Sequence, residues 1–278
     1  MPSTSTPATP SPPPSDSPTP TPSRSPLTKE VRLTDPLKPD RGTHIVWDWN
    51  GTLKDDLAEM VLAMNVTLAA LDIPPVDRAT YQNLHCVPIR DFYARILRRP
   101  LSDAEWAVAE QTYLQHIQTR PVQLRAGAAA LLGTLSRLGY RQSLLSLSPH
   151  DVLTAESAAA GVTGFFERID GRRGTDTGKT RALADHLARL PRPVASRRVV
   201  VIGDTLDDAH AAHAAGAHAV LFTGGLQHPD LLTGSGLPVA GTLPAAVRTG
   251  LALLPPVPAG RPAQQQPPGL PRGKAPRR

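Results

Sequence analysis

The chain has 278 residues, 40% of them apolar and 19% charged, with a formal net charge of +6 at pH 7. That length allows one good-sized folded domain and an accessory piece, while the single cysteine, Cys86, excludes intrachain disulfides and multi-cysteine zinc sites. No apolar run approaches the roughly eighteen residues of a membrane span, and much of the positive excess lies in an acid-free C-terminal stretch (Arg261, Arg272, Lys274, Arg277, Arg278), away from aromatics suited to base stacking. Neither a specific nucleic acid nor a membrane is expected as a partner.

Residues 1–42 are rich in Pro, Ser and Thr, with prolines crowded between Pro10 and Pro22. Such a segment has too little apolar surface to offset its ordering entropy and reads as a disordered leader. It lacks the apolar core of a secretory signal, so a cytoplasmic location is expected. The first strand runs from His44 to Trp49. Leu57, Val61, Met64, Leu68 and Leu71 recur at helical spacing and predict a helix over 55–71. Residues 77 to about 120 read as helical throughout: Tyr81 to Leu84, Ile89 to Leu97, and Ser102 to Ile117. Ser102 and Glu105 form a capping box at the start of the last of these.

After Pro121 strands and helices alternate. The pattern predicts a helix over 126–138, a strand over 141–146, a helix over 151–160 and a short strand near Phe165 to Ile169. A helix over 180–190, a strand over 198–202, a helix over 207–215, a strand over 217–222 and a closing helix over 243–253 follow. Repeated βα units imply an α/β fold with a parallel sheet covered on both faces. Residues 43–56 and 121–254 form the expected core, 57–120 a helical insertion, and 255–278 a disordered, Pro-rich basic tail.

Asp48 ends a buried apolar run and is followed at once by Trp49, Asn50, Gly51, Thr52 and Leu53. A strand that delivers a carboxylate to its C-terminal edge places it where open α/β sheets bind ligands. There it serves as a nucleophile or simply begins an Asx-type turn. Ser146 ends a second strand. Lys179 opens a helix after Gly178, setting a cation and a helix dipole where phosphoryl charge would develop. A surface lysine is the plainer alternative. A P-loop is excluded, because Gly174 and Gly178 enclose three residues and Arg173 stands where the first glycine is required. The run from Val200 to Asp208 is an apolar strand, a glycine, then the acids Asp204, Asp207 and Asp208. Hard cations such as Mg²⁺ require carboxylate oxygens of this kind. Helix N-cap acids are the alternative reading, and Asp207 suits it.

Taken together and in this order, Asp48-x-Asn50-Gly51-Thr52-Leu53, Ser146, Lys179 and Gly203-Asp204-x-x-x-Asp208 resemble the motif set of the haloacid dehalogenase (HAD) superfamily over residues 44–225. The resemblance implies a Rossmann-like core with an inserted all-helical cap, similar to phosphoglycolate phosphatase-like members. It implies a catalytic set of Asp48, Asn50 and Lys179, with Asp48 as the nucleophile that forms an aspartyl-phosphate. Thr52, Ser146 and Lys179 would bind the phosphoryl group. Asp48, the backbone carbonyl of Asn50, and Asp204 would hold Mg²⁺, with Asp208 behind the metal or positioning Lys179. A small phosphorylated metabolite is the substrate class that follows. The cap would close over the site and exclude water, with His85, Arg90, Tyr93 and Arg95 as candidate readers of the substrate.

Asn50 departs from the pattern. The superfamily's phosphatases carry a second aspartate there, which protonates the leaving oxygen and then deprotonates the attacking water. A carboxamide does neither, and general acid–base help is typically worth about 10²–10⁴-fold. Three explanations stay open: a substrate with a good leaving group such as an acyl phosphate, another group such as a cap histidine taking over, or a regulatory protein that binds phosphate without turnover. Haloacid dehalogenation, which uses the first aspartate without a metal, leaves Asp204 and Asp208 without a task. His210 and His213 lack a companion ligand for zinc, Cys86 reads as a small buried hydrophobe, and Thr223, Gly224 and Gly225 read as a turn bordering the site. No motif specifies the substrate or an oligomeric state.

Overall fold

The computed structural model describes residues 37–117, 121–174 and 178–256. Most of the expected leader and nearly all of the expected basic tail lie outside the described residues, as do residues 118–120 of the expected helical block. Six strands form one sheet: β1 (His44–Trp47), β2 (Arg141–Pro149), β3 (Ile169–Arg172), β4 (Val199–Gly203), β5 (His218–Phe222) and β6 (Val239–Ala240). Their spatial order is β3-β2-β1-β4-β5-β6 and every pairing is parallel. The chain steps outward from β1 to β3, returns to the centre, and steps outward again through β4 to β6. The direction of winding therefore reverses beside β1, the place where an open sheet leaves a crevice at its carboxyl edge.

Burial on both faces explains why β1 and β4 read as nearly continuous apolar runs. On one face Trp47, Leu144, Ile202 and Val220 pack with α5 (Ala128–Arg137), α6 (His150–Ala159) and α10 (Leu243–Leu253). On the other, Val46, Leu145 and Val201 pack with α7 (Lys179–Ala188) and α8 (Leu206–Ala214). The amino ends of β1 and β2 carry a buried polar chain. His44 Nε2 and His186 Nε2 both meet Ser143 Oγ, at 2.7 and 2.8 Å, and His186 Nδ1 meets Asp170 Oδ2 at 2.7 Å. Residues 37–42, grouped with the leader by composition, lie on this body: Leu37 packs against the core, and Asp40 pairs with Arg198 at 2.5 Å.

Between β1 and α5 lie α1 (Leu57–Ala70), α2 (Arg78–Leu84), α3 (Ile89–Leu97) and α4 (Asp103–Ile117). They have their own apolar centre of Leu57, Met60, Met64, Leu68, Tyr81, Phe92, Tyr93 and Ala109, into which Leu226 reaches from the sheet side. The capping box is present, with Glu105 N–H donating to Ser102 Oγ at 3.2 Å and Ser102 N–H to Glu105 Oε2 at 2.8 Å. The chain enters and leaves this helical cap through a short antiparallel ribbon, where Lys54 pairs with Leu124 and Asp55 N–H donates to Gln123 O at 2.9 Å.

Two sequence expectations need correction. The third strand begins at Ile169, not near Phe165, which lies in a 3₁₀ turn (Thr163–Phe165). The aromatic pair Phe165 and Phe166 packs on the core as loop, and that burial imitates a strand signal. α9 (Pro229–Gly234) and β6 were not anticipated, since six and two residues carry too little periodicity to read.

Candidate active site

β1 ends at Trp47 and Asp48 continues its line, donating its N–H to Ile202 O at 2.9 Å. Parallel pairing with β2 and β4 then brings Ser146 and Asp204 to the same edge. Lys179, the first residue of α7, points its ammonium into this edge. It contacts Asp48 Oδ1 and lies 2.5 Å from Asp208 Oδ1. Oxygens of Asp48, Asp204 and Asp208 lie within 4.8 Å of one another, and all three residues are buried.

Each acid is held by its neighbours. Asp204 accepts from Thr52 Oγ1 at 2.9 Å and from the Leu226 N–H at 2.5 Å. Thr52, expected on the phosphoryl group, thus spends its hydroxyl on a metal-site carboxylate. Asp208 Oδ2 accepts from Thr205 Oγ1 at 2.7 Å, which leaves Oδ1 for Lys179. Gly51 has φ +72°, and a Cβ there would fall on the Asp204 carboxylate and on Leu226, so only glycine fits this turn. Gly225 approaches Asp204 equally closely, so the anticipated turn after β5 does border the site.

Burial is the largest influence on every one of these groups. It raises the pKa of Asp48, which Lys179 lowers and Asp208 raises again. Asp204 is pushed well above the ordinary carboxylate range by burial, then by Asp48 and Asp208. Burial opposes charge on Lys179, but Asp208 and Asp48 outweigh it and hold the ammonium more firmly protonated than usual. Three buried carboxylates facing one ammonium carry an excess of negative charge that a bound cation would balance. The all-oxygen donor set fits Mg²⁺, which takes carboxylates and keeps several waters.

Asn50 lies beside Ser146, whose hydroxyl is 3.4 Å from Asn50 Oδ1; Ser148 Oγ donates to the same oxygen at 2.7 Å. Its Nδ2 donates to Asp56 Oδ2 at 2.6 Å. Burial raises the pKa of Asp56, while Lys54 and the hydrogen bonds from Asn50 and Gly51 oppose that rise. Lys54 also pairs with Glu156 at 2.6 Å, and Glu156 accepts from Trp49 Nε1 at 2.6 Å. Asp56, Ser148, Lys54 and Glu156 were missed from sequence. Asp56 follows the motif closely enough to be found, but an Asp pair before an apolar helix reads as a cap.

Of the four cap residues proposed as substrate readers, three are engaged within the cap. Arg90 pairs with Asp103 at 2.7 Å and stacks over Trp106, Tyr93 is buried edge-on to Trp106, and Arg95 reaches Leu84 O. His85 is buried with Tyr81 and Phe92, and burial lowers its pKa to about 4 even though Asp208 pulls the other way. Its Nδ1 has no hydrogen-bond partner among the described residues. Its carbonyl accepts from Gln227 Nε2 at 3.1 Å, and Gln227 Oε1 accepts from Leu206 N–H at 2.8 Å. Gln82 Nε2 adds a second link, to Gly225 O at 2.8 Å. His210 and His213 are exposed on α8.

Residues 45–222 match the family model described as haloacid dehalogenase-like hydrolase. The chain belongs to that family. It is 27% identical over 197 residues to the phosphoglycolate phosphatase of Rhodospirillum rubrum, covering 65% of this chain and 79% of that one. The phosphoglycolate phosphatase of Synechococcus elongatus is 28% identical over 188 residues, covering 65% and 84%. Among solved structures, a haloacid dehalogenase-like hydrolase from Streptococcus pneumoniae superposes with a TM-score of 0.64 at 22% identity, over 74% of this chain and 96% of that one. The HAD core with an inserted helical cap is therefore the fold of this chain.

Proposed function

We propose that this HAD-family protein is a Mg²⁺-dependent phosphatase that removes phosphate from a small phosphorylated metabolite through an aspartyl-phosphate on Asp48. The observation that carries the reading is the convergence of Asp48, Lys179 and the Asp204–Asp208 pair at the sheet's carboxyl edge. Similarity to named phosphoglycolate phosphatases supports a small, anionic phosphomonoester. Asp48, Asp204 and the Asn50 carbonyl would hold the metal, which when bound would draw negative charge from the phosphoryl oxygens.

The chain's own residues supply the rest. An oxygen of Asp48 bonds to phosphorus as the bond to the leaving oxygen breaks. Lys179, held between Asp48 and Asp208, faces the charge that develops on the phosphoryl group. Ser146 donates to a phosphoryl oxygen. Water then cleaves the aspartyl-phosphate, releasing inorganic phosphate and restoring the carboxylate. The helical cap closes over the edge and excludes bulk water during transfer.

Because a carboxamide at position 50 cannot protonate the leaving oxygen, rates should depend steeply on leaving-group basicity. The experiment is phosphate release from acyl, aryl and alkyl phosphates, with and without Mg²⁺, for the wild-type chain and Asp48→Asn. Metal-dependent release that vanishes in Asp48→Asn is the expected result. Release that persists in Asp48→Asn, or that needs no divalent metal, would overturn the reading.

A further inference from the structure

Asp56 is the N-cap residue of α1, yet its carboxylate makes no capping hydrogen bond to its own helix. It turns back to the catalytic loop instead, where Oδ2 accepts from Asn50 Nδ2 at 2.6 Å and Oδ1 accepts from the Gly51 N–H at 2.7 Å. The residue is 3% exposed, so these contacts form out of water. An ionised carboxylate only accepts, which fixes the group Asn50 turns toward it as the NH₂. The carboxamide oxygen is thereby aimed the other way, at Ser148 Oγ and Ser146 Oγ.

We infer that Asp56 is a positioning residue for Asn50, and that the two act as a carboxylate–carboxamide pair presenting a fixed hydrogen-bond acceptor to the phosphoryl pocket. The inference rests on the phosphatase reading above. Without Asp56 a half-turn of the carboxamide exchanges its oxygen and nitrogen, and a donor would face the pocket in place of an acceptor. The negative charge that comparable phosphatases carry at position 50 is present in this chain, one hydrogen bond away at position 56. The pair can therefore be exchanged. Asn50→Asp combined with Asp56→Asn conserves atoms, net charge and the hydrogen bonds to Gly51 and Ser148. Either substitution alone breaks the arrangement. Asn50→Asp presses two buried carboxylates together, and Asp56→Asn leaves one oxygen to serve both the Asn50 amide and the Gly51 N–H.

The test is a double-mutant cycle on the full chain: wild type, Asn50→Asp, Asp56→Asn and the exchange. It is read by kcat and KM on a phosphomonoester with Mg²⁺, by calorimetric affinity for inorganic phosphate with Mg²⁺, and by the metal-free melting midpoint. Asp56→Asn should lower kcat about tenfold or more while KM changes less than about threefold. Both single variants should melt earlier, and the exchange should recover the midpoint and bring kcat back to the wild-type value or above it. An exchange no better in kcat or phosphate affinity than the worse single variant would overturn the pairing. If the wild-type chain releases no phosphate, the phosphatase reading fails by itself. Phosphate affinity and melting then decide the pair, non-additive changes in both supporting it and additive ones overturning it.

Discussion

Lys179 Nζ lies 2.5 Å from Asp208 Oδ1 and contacts Asp48 with the same ammonium group. One buried cation thus joins the residue proposed as nucleophile to the first turn of α8. Removing it in Lys179→Met leaves carboxylates facing one another without their partner. The expected result is a fall in kcat of about 10²-fold or more and a loss of stability of about 3–5 kcal/mol, the usual result of breaking a buried pair. Steady-state kinetics and chemical denaturation measure the two effects separately.

The same crowding of acids predicts a thermal response to metal. Mg²⁺ binds the folded site and not the unfolded chain, so the melting midpoint should rise with its concentration. Asp204→Asn removes one of the three carboxylates and should flatten that rise. A midpoint that climbs equally in Asp204→Asn would place the cation elsewhere.

Gly51→Ala would force an L side chain into a left-handed turn, at a cost of about 1–3 kcal/mol, and drive its methyl into the Asp204 carboxylate. Loss of the Mg²⁺-induced midpoint shift, together with lower stability, is expected from differential scanning fluorimetry.

Gln82 and Gln227 hydrogen-bond the cap to the loop after β5 and to the start of α8. Each such bond is worth about 1 kcal/mol. Replacing either glutamine by alanine should open the cap more often and raise the apparent KM by about fivefold, with kcat less affected. Faster limited proteolysis in the cap would accompany it.

Acid should weaken the fold through His44. Burial lowers its pKa to about 3, with Arg141 acting in the same direction and Glu167 against it. The unfolded chain, whose histidines titrate near about 6.5, then binds the proton more readily than the folded one. The stability concerned is fully present above about pH 6.5 and is lost as pH falls toward 3, at roughly 1.4 kcal/mol per unit for one proton. Denaturation midpoints across this range should show a shallower acid slope in a His44 variant that still folds, such as His44→Gln.

The site's acids and lysine were legible because each sits at the end of a strand or the start of a helix, where the change from apolar run to polar turn is abrupt. Asp48 and Asp204 announce themselves in this way, and the winding that joins them follows from the βα alternation. Side-chain direction was not legible. Thr52 could face a phosphate or a carboxylate from the same backbone, and its contact with Asp204 depends on a residue 152 positions away. Asp56 carried a local signal that fitted a helix cap equally well. β3 (Ile169–Arg172) is half-buried at the sheet edge and mixes Asp, Gly and Arg into four residues, so no apolar run marked it.

The ribbon formed by Lys54 and Leu124 gives the helical insertion both its exit and its entry at one bridged pair. The rest of the molecule therefore meets this excursion as though it were a single turn. Whatever is carried beyond the bridge can be traded for another cassette of different length, because the separation of its two ends is set by sheet-side hydrogen bonds and not by the helices. Selectivity for new substrates can then be acquired by transplanting that cassette, while the loop bearing Asp48 keeps its shape.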